Sequence, residues 1–202
     1  MKKIMFDNHY GLNDAVLNGT KTMTRRFIPI DETIGGLMPV SFWNGKWCGA
    51  HGRPLRKQPY KVGEVLAIAQ SYKELGLKYI PHIDEPDFKT NTKHAPQWGC
   101  PWHMKGWDNK MYVRADVMPH QIEITDVKIE RIQDISNEDC MKEGIKDYII
   151  GYGFDGWVNK DGALKHTPDP RSAFGYLIMN LSGKKAWEDN PWVFAYSFKL
   201  LK

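Results

Sequence analysis

Apolar and polar positions along this chain fall into short ordered runs, separated by two long stretches with no period. Lys2–Phe6 reads as a first short strand. Leu12, Val16 and Leu17 recur at helical spacing within His9–Asn18, and Gly19 is a natural C-terminal stop. Thr22–Ile30 is rich in strand formers and closes near Pro29. Val62–Tyr72 reads as the clearest central strand. His120–Ile132 alternates, with Ile122, Ile124, Val127, Ile129 and Ile132 separated by polar residues. The phase change between Ile124 and Val127 predicts a bulge near Asp126. Ser136 to Asp139 has the form of a capping box, opening a short helix that ends near Gly144. Ile145–Val158 predicts a hairpin around Gly151, Gly153 and Gly156. Asp169-Pro170 starts a further helix, with Ala173, Phe174, Leu177, Ile178 and Leu181 on its inner face. Trp192–Leu200 closes the pattern as a strand.

Residues 31–60 and 73–110 read as long loop insertions. The first is punctuated by Gly35, Gly36, Pro39, Gly45 and Pro54, the second by Pro81, Pro86, Pro96 and Pro101. Non-local strand pairing with few helices predicts an α+β fold. Its expected form is a small mixed β-barrel with short flanking helices and the two insertions, residues 1–202 making a single domain.

Composition narrows the setting. No apolar run approaches the ~18–20 residues of a membrane helix, and Met1–Asp7 lacks the apolar core of a signal peptide. The expectation is a cytoplasmic protein with no membrane partner. Three cysteines, Cys48, Cys100 and Cys140, are too few and odd in number for a disulfide framework. Cys48-Gly-Ala-His51 and Cys100-Pro-Trp-His103 are two Cys-x2-His pairs, one per insertion, and could share a zinc ion. Read otherwise, they are buried thiols and ordinary polar histidines.

The net charge of +4 hides an asymmetry: residues 1–62 carry ten Lys and Arg against four acidic side chains, a net of +6. Such a segment suits a polyanion, or is a solvated face with no partner. Arg25, Arg26, Arg53, Arg56 and Lys57, with Arg114 further on, are the candidate nucleic-acid contacts. Trp43, Trp47, Trp98, Trp102 and Trp107 lie among charged and loop residues, where they could stack on unpaired bases of RNA or form satellite core under the loops.

Three segments then add up. Leu17-Asn-Gly-Thr-Lys21-Thr-Met-Thr24-Arg25-Arg26 is a helix end, a glycine and a Lys/Thr/Arg strand; Lys61-Val-Gly-Glu-Val-Leu66 is a turn into an apolar strand; Ile122–Ile145 is a long strand and a short helix. With the closing strand after Asn190-Pro-Trp192, they resemble the ASCH domain of the PUA-like β-barrel superfamily, whose members include phage-type proteins of this size. The resemblance covers most of the chain outside the insertions. It implies binding of RNA or a modified nucleoside or nucleotide. One branch, similar in the first and third segments, is an amidohydrolase of N4-acetylcytidine. Its Lys, its Thr three residues on and its Glu from the short helix match Lys21, Thr24 and Glu143. Many phage-type relatives carry Arg-Glu where this chain has Ala69-Gln70.

The residue types suit amide hydrolysis. A threonine hydroxyl needs a base to become a nucleophile. A lysine serves only if burial or a neighbouring cation lowers its pKa, and Arg25 and Arg26 are close in sequence. Glu143 could move a proton if a cavity raised its pKa. Strand positions three apart point to opposite faces, so Lys21 meets Thr24 only if it lies in the loop ahead of the strand, which Gly19-Thr20 suits, or if a bulge intervenes. No cofactor is required. Three functional expectations stand: an RNA- or modified-nucleotide-binding domain, an amidohydrolase on acylated nucleosides, and a protein-interaction module of phage origin built on the aromatic insertions.

Overall fold

The computed structural model describes residues 1–28, 41–43, 46–48, 58–75 and 106–201. The readings placed on His51, Arg53, Arg56, Lys57, Trp98, Cys100, Trp102 and His103 lie outside the described residues. The fold is α+β. Its strands are β1 (Lys2–Ile4), β2 (Met23–Phe27), β3 (Ser41–Trp43), β4 (Lys46–Cys48), β5 (Val65–Ile68), β6 (Gln121–Arg131), β7 (Lys146–Tyr148), β8 (Gly151–Gly153) and β9 (Trp192–Leu201). Its helices are α1 (Leu12–Leu17), α2 (Asn137–Lys142), α3 (Pro170–Ser182) and α4 (Lys185–Glu188). A mixed sheet of five strands runs in the order β1-β5-β6-β9-β2. It ends on β1 and β2, and no strand pair closes it into a barrel among the described residues.

Contacts divide the chain into two compact units, Met1–Met5 with Leu66–Gln121 and Phe6–Val65 with Ile122–Lys202. In the first, β1 runs parallel to β5 with Lys2 opposite Leu66 and Ile4 opposite Ile68. Ala67, Tyr72, Val113 and Met118 form its core, with Trp107 packed against them. The Lys3 ammonium donates to the carbonyls of Lys110, Met111 and Val113 at 3.3, 2.8 and 2.6 Å. Burial lowers its pKa.

The second unit holds the elements around the candidate site. β2 and β9 are antiparallel, with Thr24 opposite Tyr196 and Arg26 opposite Phe194. β6 runs without interruption, and the phase change appears as two successive exposed residues, Thr125 and Asp126. Ser136 caps α2, its Oγ accepting from the Asp139 N–H at 3.1 Å. The reciprocal half of the predicted box is not made, because the Asp139 carboxylate turns to Lys128, Lys142 and Arg25. Asp169 caps α3, with Oδ1 accepting from the Ser172 N–H at 2.9 Å and Oδ2 from its hydroxyl at 2.6 Å. Ala173, Phe174, Leu177 and Ile178 are buried, while Leu181, in the last turn, is exposed. The stretch read as insertion 31–60 contains β3 and β4, paired from Ser41 opposite Cys48 to Trp43 opposite Lys46. Aromatic triplets around Asn44-Gly45 carry the two-residue hairpin signal, which the density of glycine and proline obscures.

Rings organise the segment after α2. Tyr10 meets Phe154 edge-on at 5.4 Å, Phe154 stacks on Trp157 at 4.9 Å and 2°, and Trp157 meets Tyr176 of α3 at 4.9 Å. Gly156 makes the approach possible: its φ is +73°, and a Cβ there would lie 2.2 Å from the His9 carbonyl oxygen. Gly156→Ala should therefore destabilise the protein by more than the ~1–2 kcal/mol of a left-handed alanine. Gly162→Ala, at φ +85° with nothing within 4 Å, should show the conformational part alone. Urea midpoints of the two variants check this; equal losses would refute the close contact.

Candidate active site

The site begins in the loop after α1. Gly19 turns the chain at φ +79°, and the Lys21 N–H donates to the Ala15 carbonyl at 2.8 Å. The Thr22 N–H donates to the Lys142 carbonyl at 2.9 Å, fastening the loop to the end of α2. Lys21 thus precedes β2, one of the two arrangements that strand geometry allowed. Glu143 follows α2, its N–H bonded back to the Asp139 and Cys140 carbonyls. A Cβ at Gly144 would lie 3.2 Å from Leu12 and 3.7 Å from the Lys21 side chain, so this corner is tightly packed.

Lys21 and Glu143, 122 residues apart, meet here. The Lys21 ammonium donates to Glu143 Oε2 and to the Glu143 carbonyl, both at 2.6 Å. Arg25 Nη1 donates to Glu143 Oε1 at 2.9 Å. Arg25 also donates from Nε and Nη2 to Glu130 Oε1, at 2.9 and 2.5 Å, and its Nη2 lies 3.4 Å from Asp139 Oδ2. Lys128 bridges Asp139 at 2.7 Å and Glu130 at 3.1 Å, and Lys142 reaches Asp139 at 3.2 Å. Charges alternate from a sealed end, where Lys21 is 2%, Glu143 4% and Arg25 7% exposed, to the half-exposed Lys128 and Lys142.

Buried charges at this depth persist only as hydrogen-bonded partners. Burial alone would raise the Glu143 pKa, but Lys21 and Arg25 together hold it below the usual carboxylate value. Burial lowers the Lys21 pKa; the attraction of Glu143 opposes this only in part, and Arg26 and Arg25 add to the lowering. Burial would also raise the Asp139 pKa, yet Lys128 and Lys142 hold it down. Glu143 is therefore kept as a carboxylate, suited to accept a proton or fix a cation, whereas a proton donor needs a raised pKa. Cys140 is fully buried and its thiol is pushed up to about 12, chiefly by burial, which leaves it unreactive.

Thr24 is buried in β2, and its hydroxyl makes no side-chain hydrogen bond among the described residues. Alternation turns it away from Arg25 and onto the face it shares with Arg26 and with Tyr196 across the ladder. Lys21 and Arg26 both lie 5.9 Å from the centre of the Phe6 ring. Glu143 takes Lys21 on one carboxylate oxygen and Arg25 on the other. No hydrogen bond joins Thr24 to either Lys21 or Glu143. The Tyr196 hydroxyl is sealed and makes no hydrogen bond among the described residues, and burial raises its pKa.

The expected phosphate contacts fare differently. Arg25 is not presented to a phosphate, because carboxylates occupy its guanidinium below the surface. Arg26 is half-buried, with Nη1 donating to the Arg25 carbonyl at 3.4 Å. Arg114 pairs with Asp116 at 3.0 and 2.7 Å. Of the proposed zinc ligands only Cys48 is described, and it is buried; among the described residues no three His, Cys, Asp or Glu converge as a metal site. Ala69 and Gln70 are buried, and Gln70 Oε1 has no hydrogen-bond partner among the described residues. The sequence reading missed Glu130, Asp139 and Lys128. The only trace of them is a Lys-x-Glu pair on one strand face and an acidic residue in a capping position.

The chain matches no family model, no curated protein and no solved structure.

Replacing Glu143 by Gln should cost about 3–5 kcal/mol at neutral pH, since it leaves the buried Lys21 ammonium without its carboxylate and takes from Arg25 one of its three. Because the Glu143 and Asp139 pKa values are depressed, their contribution is complete above the unfolded carboxylate values and is lost as pH falls through the lower folded ones. Urea unfolding between neutral and acid pH should show a shallower acid limb in Glu143→Gln than in the wild type. An unchanged limb would contradict the assignment.

Proposed function

We propose that the chain is an amidohydrolase acting on an acylated nucleoside, free or within RNA, through Lys21, Thr24 and Glu143. The observation that carries this reading is the sealed Lys21–Glu143 pair at the entrance to the strand that holds the buried Thr24. The resemblance to the ASCH domain, with its PUA-like barrel, belongs to the same proposal. Open-ended sheet order and two compact units are the coarser facts it has to accommodate.

The chemistry follows from the environment. A lowered pKa gives Lys21 a larger neutral fraction, able to take the Thr24 hydroxyl proton. The Thr24 oxygen then attacks the acyl carbon. The bond from that carbon to the exocyclic nitrogen breaks, and the proton passes from Lys21 to the departing amine. Water next attacks the threonyl ester and gives a proton to Lys21; the acyl carbon–Thr24 oxygen bond breaks, Lys21 returns that proton to the Thr24 oxygen, and the carboxylic acid leaves. Glu143 stays ionised through these steps. It orients the lysine and stabilises it when protonated, and the two titrate as a coupled pair.

Incubation with N4-acetylcytidine and a panel of other acylated nucleosides, with mass-spectrometric detection of the deacylated product, tests the reading. Turnover is expected in the wild type and not in Thr24→Ala, whose melting temperature should be nearly unchanged. The rate should rise with pH on a limb below the ordinary lysine value of 10.5. Absence of deacylation across the panel, or full activity in Thr24→Ala, would refute it.

A further inference from the structure

We propose that a cleft between α3 and residues 157–167 binds one unpaired nucleotide, its base on Tyr176 and its phosphate on Lys165 and His166. The cleft has a volume of about 300 Å³. That is the small end of the ~300–1,000 Å³ range for ligand sites, enough for a single planar ring and its anionic tail. The proposal rests on residues separate from Lys21, Thr24 and Glu143 and does not require amide chemistry.

The walls are fixed by backbone. Tyr152 and Thr167 exchange two hydrogen bonds of 2.8 Å, the Lys165 N–H donates to the Trp157 carbonyl at 2.8 Å, and the Asn159 N–H donates to Ala163 at 2.7 Å. Gly151 and Gly153 let this ladder close, since a Cβ would lie 2.6 Å from the Thr167 carbonyl oxygen at one and 2.7 Å from that of Lys165 at the other. The floor is the ring column, held at Trp157 by the parallel stack on Phe154. Its last ring, Tyr176, is 45% exposed and so leaves aromatic surface for another planar group.

Chemistry selects the occupant. Trp157 is 8% exposed, and its indole N–H makes no hydrogen bond among the described residues. Asn159 adds an amide that both donates and accepts, which suits the edge of a base. Lys165 and His166 supply the basic groups, and no carboxylate lines the cleft among the described residues. The nearest acidic groups in sequence lie outside the lining: Asp161 accepts from the Ala163 N–H at 3.1 Å, Asp155 is held by Lys146 at 2.5 Å and Tyr148 at 3.1 Å, and Asp169 by Ser172. A flat ring with a hydrogen-bonding edge and an anionic tail meets all of these features together.

Isothermal titration of the full chain with adenosine, adenosine 5′-monophosphate and a single-stranded octa-adenylate RNA tests the proposal. The monophosphate should bind more tightly than adenosine, and Lys165→Ala should erase that difference. Tyr176→Ala, at a surface position that leaves the fold intact, should weaken both monophosphate and RNA about tenfold, the order of one lost base stack. Thr24→Ala should change none of these affinities. RNA binding tighter than the monophosphate identifies a strand as the source; RNA no tighter identifies a free nucleotide; both support the site. Failure of all three probes to bind at millimolar concentration, or affinities unchanged in Tyr176→Ala, would overturn it.

Discussion

The carboxylate of Glu143 is the constraint on which the second unit depends. It accepts from Lys21 on one oxygen and from Arg25 on the other, at depths where neither cation is hydrated. A loop, an edge strand and the end of a six-residue helix are thereby joined at one group. Alone, α2 is far too short to persist in water. It is held by its Ser136 cap, by Asp139 within the ion network and by Glu143 at its end. A hydrophobic trio of the same volume would serve stability as well or better.

A different kind of order holds the wall built after α2. There the fixed elements are rings and glycines rather than charges. Phe154, Trp157 and Tyr176 pack as a column, and Gly151, Gly153 and Gly156 admit backbone oxygens to distances no side chain would allow. Such packing is non-directional in energy but exact in shape. It presents a rigid surface without committing any titratable group, which leaves Lys165 and His166 at its rim available to an anion.

Much of the fold was legible because local rules govern it. The capping residues Ser136 and Asp169, the apolar stripe of α3 and the strands β6 and β9 appear where the pattern placed them. The β3–β4 pair was hidden by its short strands, and α4 by having only four residues. Of the site, Lys21 and Glu143 were reached through resemblance, and alternation alone required that Lys21 precede the strand or that a bulge intervene. Arg25 was misjudged. A basic residue in a basic segment looks solvent-facing until its partners are known, and those partners lie 105 to 118 residues away. Sequence periodicity carries no information at that range.

That range also bears on how the chain acquires its structure during synthesis. The unit that starts at Met1 is completed only by residues up to Gln121, and β1 has no partner strand until β5 exists. Lys3 waits for the carbonyls of Lys110–Val113, and Lys21 waits for Glu143. Contacts of such separation make folding slow, because loop-closure entropy precedes the reward. While the first 140 or so residues emerge from the ribosome at ~5–20 residues per second, Lys21 remains an ordinary hydrated lysine for several seconds. Its unusual proton affinity is among the last properties the nascent protein gains.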